Sequence, residues 1–389
     1  MKINFPLLAL AVGAFGIGTT EFSPMGLLPV IARGVDVSIP AAGMLISAYA
    51  IGVMVGAPLM TLLLSHRARR SALVFLMAIF TVGNVLSAMA PDYTLLLLSR
   101  IVTSLCHGAF FGLGSVVAAS VVPKHKQASA VATMFMGLTI ANIGGVPAAT
   151  WMGETIGWRM SFLATACLGV VAMLGLWFSL PQGSSGERPD VRRELSVLVR
   201  PQVLTALLTT VLGAGAMFTL YTYIAPVLHT VTGASPLFVT SMLILIGVGF
   251  SIGNYLGGKF ADRSVVGTLK GFLLLLMAIM AAIPWLAQTH AGAALSMLVW
   301  GAATFAVIPP LQMRVMRVAH DAPGLSSSVN IGAFNLGNAL GAAAGGAVIS
   351  GGLGYGFVPV MGAIIAGLGL LLVLASGRRQ EECACADNG

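Results

Sequence analysis

Glu21 stands inside a long apolar stretch that begins at Phe5, among Thr19, Thr20, Ser23, Pro24 and Pro29. It is the one carboxylate read as lying inside a hydrophobic span. A charge at the centre of a bilayer costs about 2.5–3.5 kcal/mol on insertion scales. An acid kept there marks an ion or substrate path, or else sits near an interface or pairs silently with a cation. The prolines loosen the helix, and the hydroxyls offer hydrogen bonds where water is scarce. Arg100 faces the same cost. It needs a partner such as Glu21, a backbone carbonyl or water, unless it is a structural cation near the outer end of its span. His107 follows at seven residues, two helical turns on and on the same face. Such a histidine is either hydrogen-bonded structure or a proton carrier. Glu21, Arg100 and His107 are therefore the candidate proton-coupling set. No Walker motif, metal-ligand cluster or nucleophile triad occurs, so ATP-driven transport and catalysis have no support, and no metal or cofactor is expected.

Composition says what must position these groups. The 389 residues are 57% hydrophobic and only 8% charged, with mean hydropathy +0.95. A soluble domain carries about 25% charged residues. The chain is therefore expected to be an all-α membrane protein. Twelve spans of bilayer length are expected at about 5–30, 41–64, 71–89, 93–121, 129–153, 158–180, 203–227, 236–260, 266–288, 291–315, 325–349 and 357–376. The domain reading is an N-terminal six-helix bundle over 1–180, a cytoplasmic linker over 181–200, a C-terminal six-helix bundle over 201–376 and a disordered cytoplasmic tail over 377–389. The 48 glycines suit close helix contacts in lipid. Cys106 and Cys167 read as small hydrophobes, Cys383 and Cys385 fall in the tail, and no disulfide is expected.

The net charge of +8 does not imply nucleic acid, because the basic residues sit in short loops. With an even number of spans, all but Arg33, Arg100 and Arg159 of the 20 Lys and Arg fall on the side of the termini. That bias makes both termini and the linker cytoplasmic. The halves also repeat. A shift of 197 positions lays Gly52 on Gly249, Gly56 on Gly253, Gly144 on Gly341 and Gly157 on Gly354. Parallel six-span halves of this kind are known in transporters.

Several segments carry a specific resemblance. They are Thr19-Thr20-Glu21-Phe22 with Met25-Gly26-Leu27-Leu28-Pro29, and Tyr49-Ala50-Ile51-Gly52 running on to Pro58. Arg100 with His107-Gly108-Ala109-Phe110-Phe111-Gly112, Asn142-Ile143-Gly144-Gly145-Val146-Pro147 and Gly157-Trp158-Arg159 complete them. With these the sequence resembles the major facilitator superfamily, in its twelve-span drug:proton antiporter group, and is most similar to AraJ-type arabinose efflux permeases. The resemblance implies two parallel six-helix bundles, the major facilitator fold, and proton handling by Arg100. It also associates the loop between spans 2 and 3 with a glycine, Asp-Arg and Gly-Arg-Arg signature. Here Ser65 holds the aspartate position and Ala68 the glycine position, while Arg67, Arg69 and Arg70 are kept. The second half keeps Asp262 and Arg263. Both loops either set topology by charge or act in gating.

Phe22, Tyr49, Phe110 and Asn142 are the cavity candidates of the first half. Tyr221, Tyr223, Asn254, Asn335 and Asn338 are those of the second. The aromatics near 218–226 read either as an interfacial belt or as a stacking face. Gly144, Gly145, Pro147, Gly337 and Gly341 are assigned to helix packing. The expected function is proton-coupled efflux of a small amphipathic compound or sugar by alternating access. A sugar-specific, arabinose-like permease is the alternative, and a non-transporting membrane sensor or scaffold the distant one. The expected partners are a small-molecule substrate, protons and the lipid bilayer, with no nucleic acid. The expected form is a multi-pass monomer in a bacterial cytoplasmic (inner) membrane.

Overall fold

The computed structural model describes residues 4–181 and 191–386. Among these residues every regular element is helical. The first half comprises α1 (Phe5–Gly34), α2 (Ile39–Leu64), α3 (Arg69–Met89), α4 (Tyr93–Ser120), α5 (Gln127–Ile140), α6 (Val146–Met152) and α7 (Trp158–Ser179). After α8 (Val191–Leu198) come α9 (Pro201–Tyr221), α10 (Ile224–Val227), α11 (Pro236–Ala261), α12 (Val265–Leu286), α13 (His290–Ala306), α14 (Ile308–Val318), α15 (Pro323–Ser350) and α16 (Val358–Ala386). Ten helical stretches among the described residues are long and apolar enough to cross a membrane, and one of them, Lys124–Ser179, has 56 residues, the length of two crossings. Helix α15 is also long enough, but its glycines, serines and asparagines keep it outside those ten.

Local chemistry sets the ends and breaks. Asn4, Ser38, Asp92, Ser235, Ser264 and Thr289 each cap a helix by accepting a backbone N–H. The spans expected at 129–153, 203–227 and 291–315 are not continuous α-helices. In the first, a π-turn at Ala141–Gly145 precedes Pro147. In the second, α9 ends at Tyr221, because Pro226 has no N–H for the Thr222 carbonyl. In the third, Pro309 and Pro310 open α14 as a new helix.

The chain divides into two compact units. One holds residues 1–196 with 321–332, the other 197–320 with 333–389. In the first, α2 packs on α4, α3 on α7, and α1 on α5 and α7. In the second, α11 packs on α13, α12 on α16, and α9 on α16. Spans two with four, three with six and one with six thus recur as eight with ten, nine with twelve and seven with twelve. The repeat seen in the glycine spacing is a repeat of helix pairing. Residues 182–190 of the expected linker lie outside the described residues, as do Lys2, Arg188 and positions 387–389. Residues 191–198 of that linker form α8, and α16 runs through most of the stretch read as a tail.

Glycine makes two further approaches close, α15 on α9 and the π-turn on α1. A Cβ at Gly337 would meet Val211 O at 2.5 Å and Ala214 Cβ at 2.8 Å, and one at Gly341 would run into the backbone of Gly215. Gly145 likewise abuts Thr19 and Phe15. Gly144 and Pro147 correct the packing assignment: both are exposed, and a Cβ at Gly144 would meet nothing within 4 Å. Gly144 lies in the π-turn and Pro147 in the first turn of the helix that follows it.

Residues 321–332, the start of α15, are bound into the first unit through hydroxyls. Thr61 Oγ1 donates to Ser328 Oγ at 2.7 Å, and Ser327 Oγ donates to Gly112 O at 3.0 Å. A cavity of about 180 Å³ lies beside them, lined by Ser65, Arg67, Arg69, Glu194 and Asp321 among others.

Candidate functional site

The site is built on a defect in α1. In a helix the carbonyl of residue 20 accepts from the N–H of residue 24, and Pro24 has none. Arg100 of α4 fills the vacancy. Its Nη2 donates to Thr20 O at 2.8 Å and its Nη1 to Thr20 Oγ1 at 3.0 Å. The Thr20 hydroxyl in turn donates to Asn84 Oδ1 at 2.6 Å, and Asn84 Nδ2 donates to Phe80 O at 2.9 Å. Three helices, α1, α3 and α4, are pinned by this chain. Arg100 is 1% exposed, and its guanidinium lies over the rings of Tyr49 at 4.4 Å and Phe162 at 5.5 Å. Aromatic faces of this kind hold a desolvated cation.

Glu21 follows Thr20 directly and is half-buried. Its carboxylate makes no ion pair or hydrogen bond among the described residues, yet it lies near enough to Arg100 for the charges to interact. The partner of Arg100 is therefore the Thr20 carbonyl, and the acid beside it keeps its oxygens free for a proton or a ligand.

His107 joins the same cluster from two turns along α4. Its Nδ1 is 3.3 Å from Tyr49 Oη, and its ring packs at 5.2 Å on Phe111. Phe111 meets Phe110 edge-on at 6.2 Å and Phe135 at 5.0 Å. Tyr49 thus touches Arg100 with its ring and His107 with its hydroxyl. Arg100, His107 and Tyr49 form one buried group, with half-buried Glu21 beside Arg100, Phe110 at its edge and Phe22 half-buried next to Glu21. Asn142 is not brought to it by any hydrogen bond, since its Nδ2 donates to Leu138 O at 3.0 Å in its own helix.

In the second unit the two tyrosines part where α9 ends. Tyr221 packs on Phe218 and Phe250, each at 5.9 Å, and stacks on Trp300 at 6.2 Å. Tyr223 turns to α15 and donates to Ala342 O at 3.0 Å. Asn254 and Asn335 are buried, and Asn338 is half-buried with a buried Oδ1 that has no partner among the described residues. Asp262 closes the end of α11, and Arg263 beside it is exposed. In the first-half loop Arg67 reaches the Phe75 ring at 5.7 Å, Arg69 is exposed, and Arg70 lies over Trp177 at 4.4 Å. Sequence reasoning missed Asn84 and Trp300. The signals for Arg100's true acceptor were present, because Pro24 four residues after Thr20 announces a free carbonyl.

These helices and this buried polar cluster define a multi-pass helical membrane transporter. The chain belongs to the Major Facilitator Superfamily, which it matches over residues 10–345. It is 83% identical over 388 residues to the inner membrane transport protein YdhP of Escherichia coli K12, covering 100% of both chains. It is 31% identical over 381 residues to AraJ of the same organism, covering 97% of this chain and 96% of that one. A chloramphenicol resistance protein of Streptomyces lividans is 33% identical over 340 residues, or 86% and 87% of the two chains. The solved structure of FucP in the outward conformation has a TM-score of 0.77 at 15% identity, covering 96% of this chain and 98% of that one, and shares the fold.

Proposed function

We propose that the protein is a proton-coupled secondary transporter of the bacterial cytoplasmic membrane that exports a small amphipathic, drug-like compound or a sugar by alternating access. The observation that carries this reading is Arg100 bonded to Thr20, with Glu21 the next residue and within charge interaction of Arg100. A fixed cation beside a carboxylate with free oxygens gives a site where a proton and a substrate can compete. Tyr49 and His107 extend the group by a hydrogen-bonding path. The name of the chloramphenicol resistance relative supports a drug-like cargo, and that of YdhP supports the inner membrane. Both termini are cytoplasmic by the loop charges, the working unit is a monomer, and no enzymatic step is required. The loops at Arg67–Arg70 and Asp262–Arg263 bias the cycle on the cytoplasmic side.

Similarity to AraJ favours a second reading, a sugar-specific permease. Reconstituted vesicles loaded with a pH dye test both. Under the first reading chloramphenicol moves protons against its own flux. Under the second only a sugar such as arabinose does so. No proton movement with chloramphenicol, arabinose or a cationic dye such as ethidium contradicts the coupling itself.

A further inference from the structure

The second unit contains an aromatic box whose polar atoms are unfinished. Trp300 of α13 is 0% exposed, and its Nε1, which can only donate, has no acceptor among the described residues. One turn along the same helix, Thr304 is also buried, and its Oγ1 has no partner among the described residues either. That is unusual for a helical threonine. Thr209 and Thr219 of the same unit both donate to the carbonyl four residues back, at 2.7 Å. Buried polar groups left without partners are costly and rare, and each calls for an explanation.

The surroundings narrow the explanation. Tyr221 stacks on Trp300 with the rings 26° apart, and Phe250 lies 6.1 Å from Trp300 and 4.1 Å from Phe305. Helices α9 and α13 carry no Asp, Glu, Lys or Arg, and Lys259 of α11 lies more than two turns beyond Phe250. The box is apolar and uncharged: a cation there would meet aromatic faces but no counter-charge, and it would leave the two unfinished groups without an acceptor. Its walls suit a flat ring, and its two unfinished groups ask for an acceptor. Tyr221 is the least buried wall. It is half-buried and ends α9, where Pro226 breaks the helix.

We propose that Trp300 and Thr304, framed by Tyr221 and Phe250, form a binding subsite for a neutral, ring-bearing molecule that offers a hydrogen-bond acceptor. The ligand's acceptor takes the indole N–H, its ring replaces the Tyr221 face, and Thr304 completes the contact. This deepens the export reading above and rests on it for the cargo's passage.

The experiment is equilibrium binding of radiolabelled chloramphenicol, a neutral aryl amide, to the purified full-length protein, with thermal melts of the unliganded protein alongside. Trp300→Phe keeps a ring and removes only the donor. It is expected to bind chloramphenicol about tenfold more weakly while melting at the same temperature or higher, because an unpaired buried N–H has been removed. Thr304→Val keeps shape and removes the hydroxyl, and it serves if Trp300→Phe fails to fold. It is expected to weaken binding several-fold. Binding of the cationic planar dye ethidium should not change with either variant. Unchanged chloramphenicol affinity in a folded variant, or equal losses for ethidium, overturns the subsite. Failure of the wild type to bind chloramphenicol saturably overturns the ligand class. Neither result bears on proton coupling at Glu21, which the vesicle assay reads separately.

Discussion

Arg100 Nη2 lies 2.8 Å from the carbonyl oxygen of Thr20, an oxygen that has no helical donor because residue 24 is proline. A defect in one span thus becomes the acceptor for a buried cation in another. The usual cost of a charge in lipid is offset by a charge-assisted bond, a second bond to the Thr20 hydroxyl and two aromatic faces.

Pro24→Ala tests that relationship. It removes a helix-interior proline, worth about 3 kcal/mol, and supplies an N–H that competes with Arg100 for the Thr20 carbonyl. The expected outcome is a higher melting temperature with transport reduced several-fold. A lower melting temperature, or transport at the wild-type rate, would show that the proline does not hold Arg100 in place.

The glycines make a paired prediction about packing. Gly341→Ala drives a methyl group into the backbone of Gly215 and should cost about 1–3 kcal/mol. Gly144→Ala meets nothing within 4 Å and should be neutral, or stabilising by up to about 1 kcal/mol. Thermal melts of both variants in one detergent check the order. Equal losses would mean that the α9–α15 approach is looser than described.

Most of the fold was legible because composition and period report it directly. Span length, the basic loops and the common offset of 197 fix twelve crossings in two halves. The breaks in spans 5, 7 and 10 were missed, although Pro147, Pro226 and Pro309 stood in the sequence. The cause is that hydropathy measures burial in lipid and is blind to a lost N–H. Glu21, Arg100 and His107, which the structure brings together with Tyr49, stood out in the sequence by residue type, because ionisable groups in lipid are few, and Tyr49 by its motif. Asn84 and Trp300 did not, since an asparagine or tryptophan in a span is ordinary until its partners are known. Gly144 was assigned to packing by spacing, and it stands exposed in the π-turn, which spacing alone does not announce.

Glu194 of α8 lies outside the spans, beside Arg67, Arg69 and Asp321 around the 180 Å³ cavity. Partial burial raises its carboxyl above the ordinary value of 4.5. The folded state therefore holds the proton more tightly than the unfolded chain does. Any stability this confers is present below the ordinary carboxylate range and is lost as pH rises through the shifted value. Hydrogen exchange across Val191–Leu198 should accordingly be slower at the acid end of that window. Glu194→Gln should flatten the dependence. A profile that is the same in wild type and variant assigns it to other groups.

The most direct measurement is pH-driven export in reconstituted vesicles by wild type and by Glu21→Gln. The amide keeps the size and polarity of the side chain and cannot titrate. An imposed proton gradient should drive chloramphenicol transport in the wild type. In Glu21→Gln that response should vanish, while the protein still folds and exchanges chloramphenicol at equal concentrations across the membrane. Gradient-driven transport by the variant at the wild-type rate would contradict the assignment of Glu21 as the proton site.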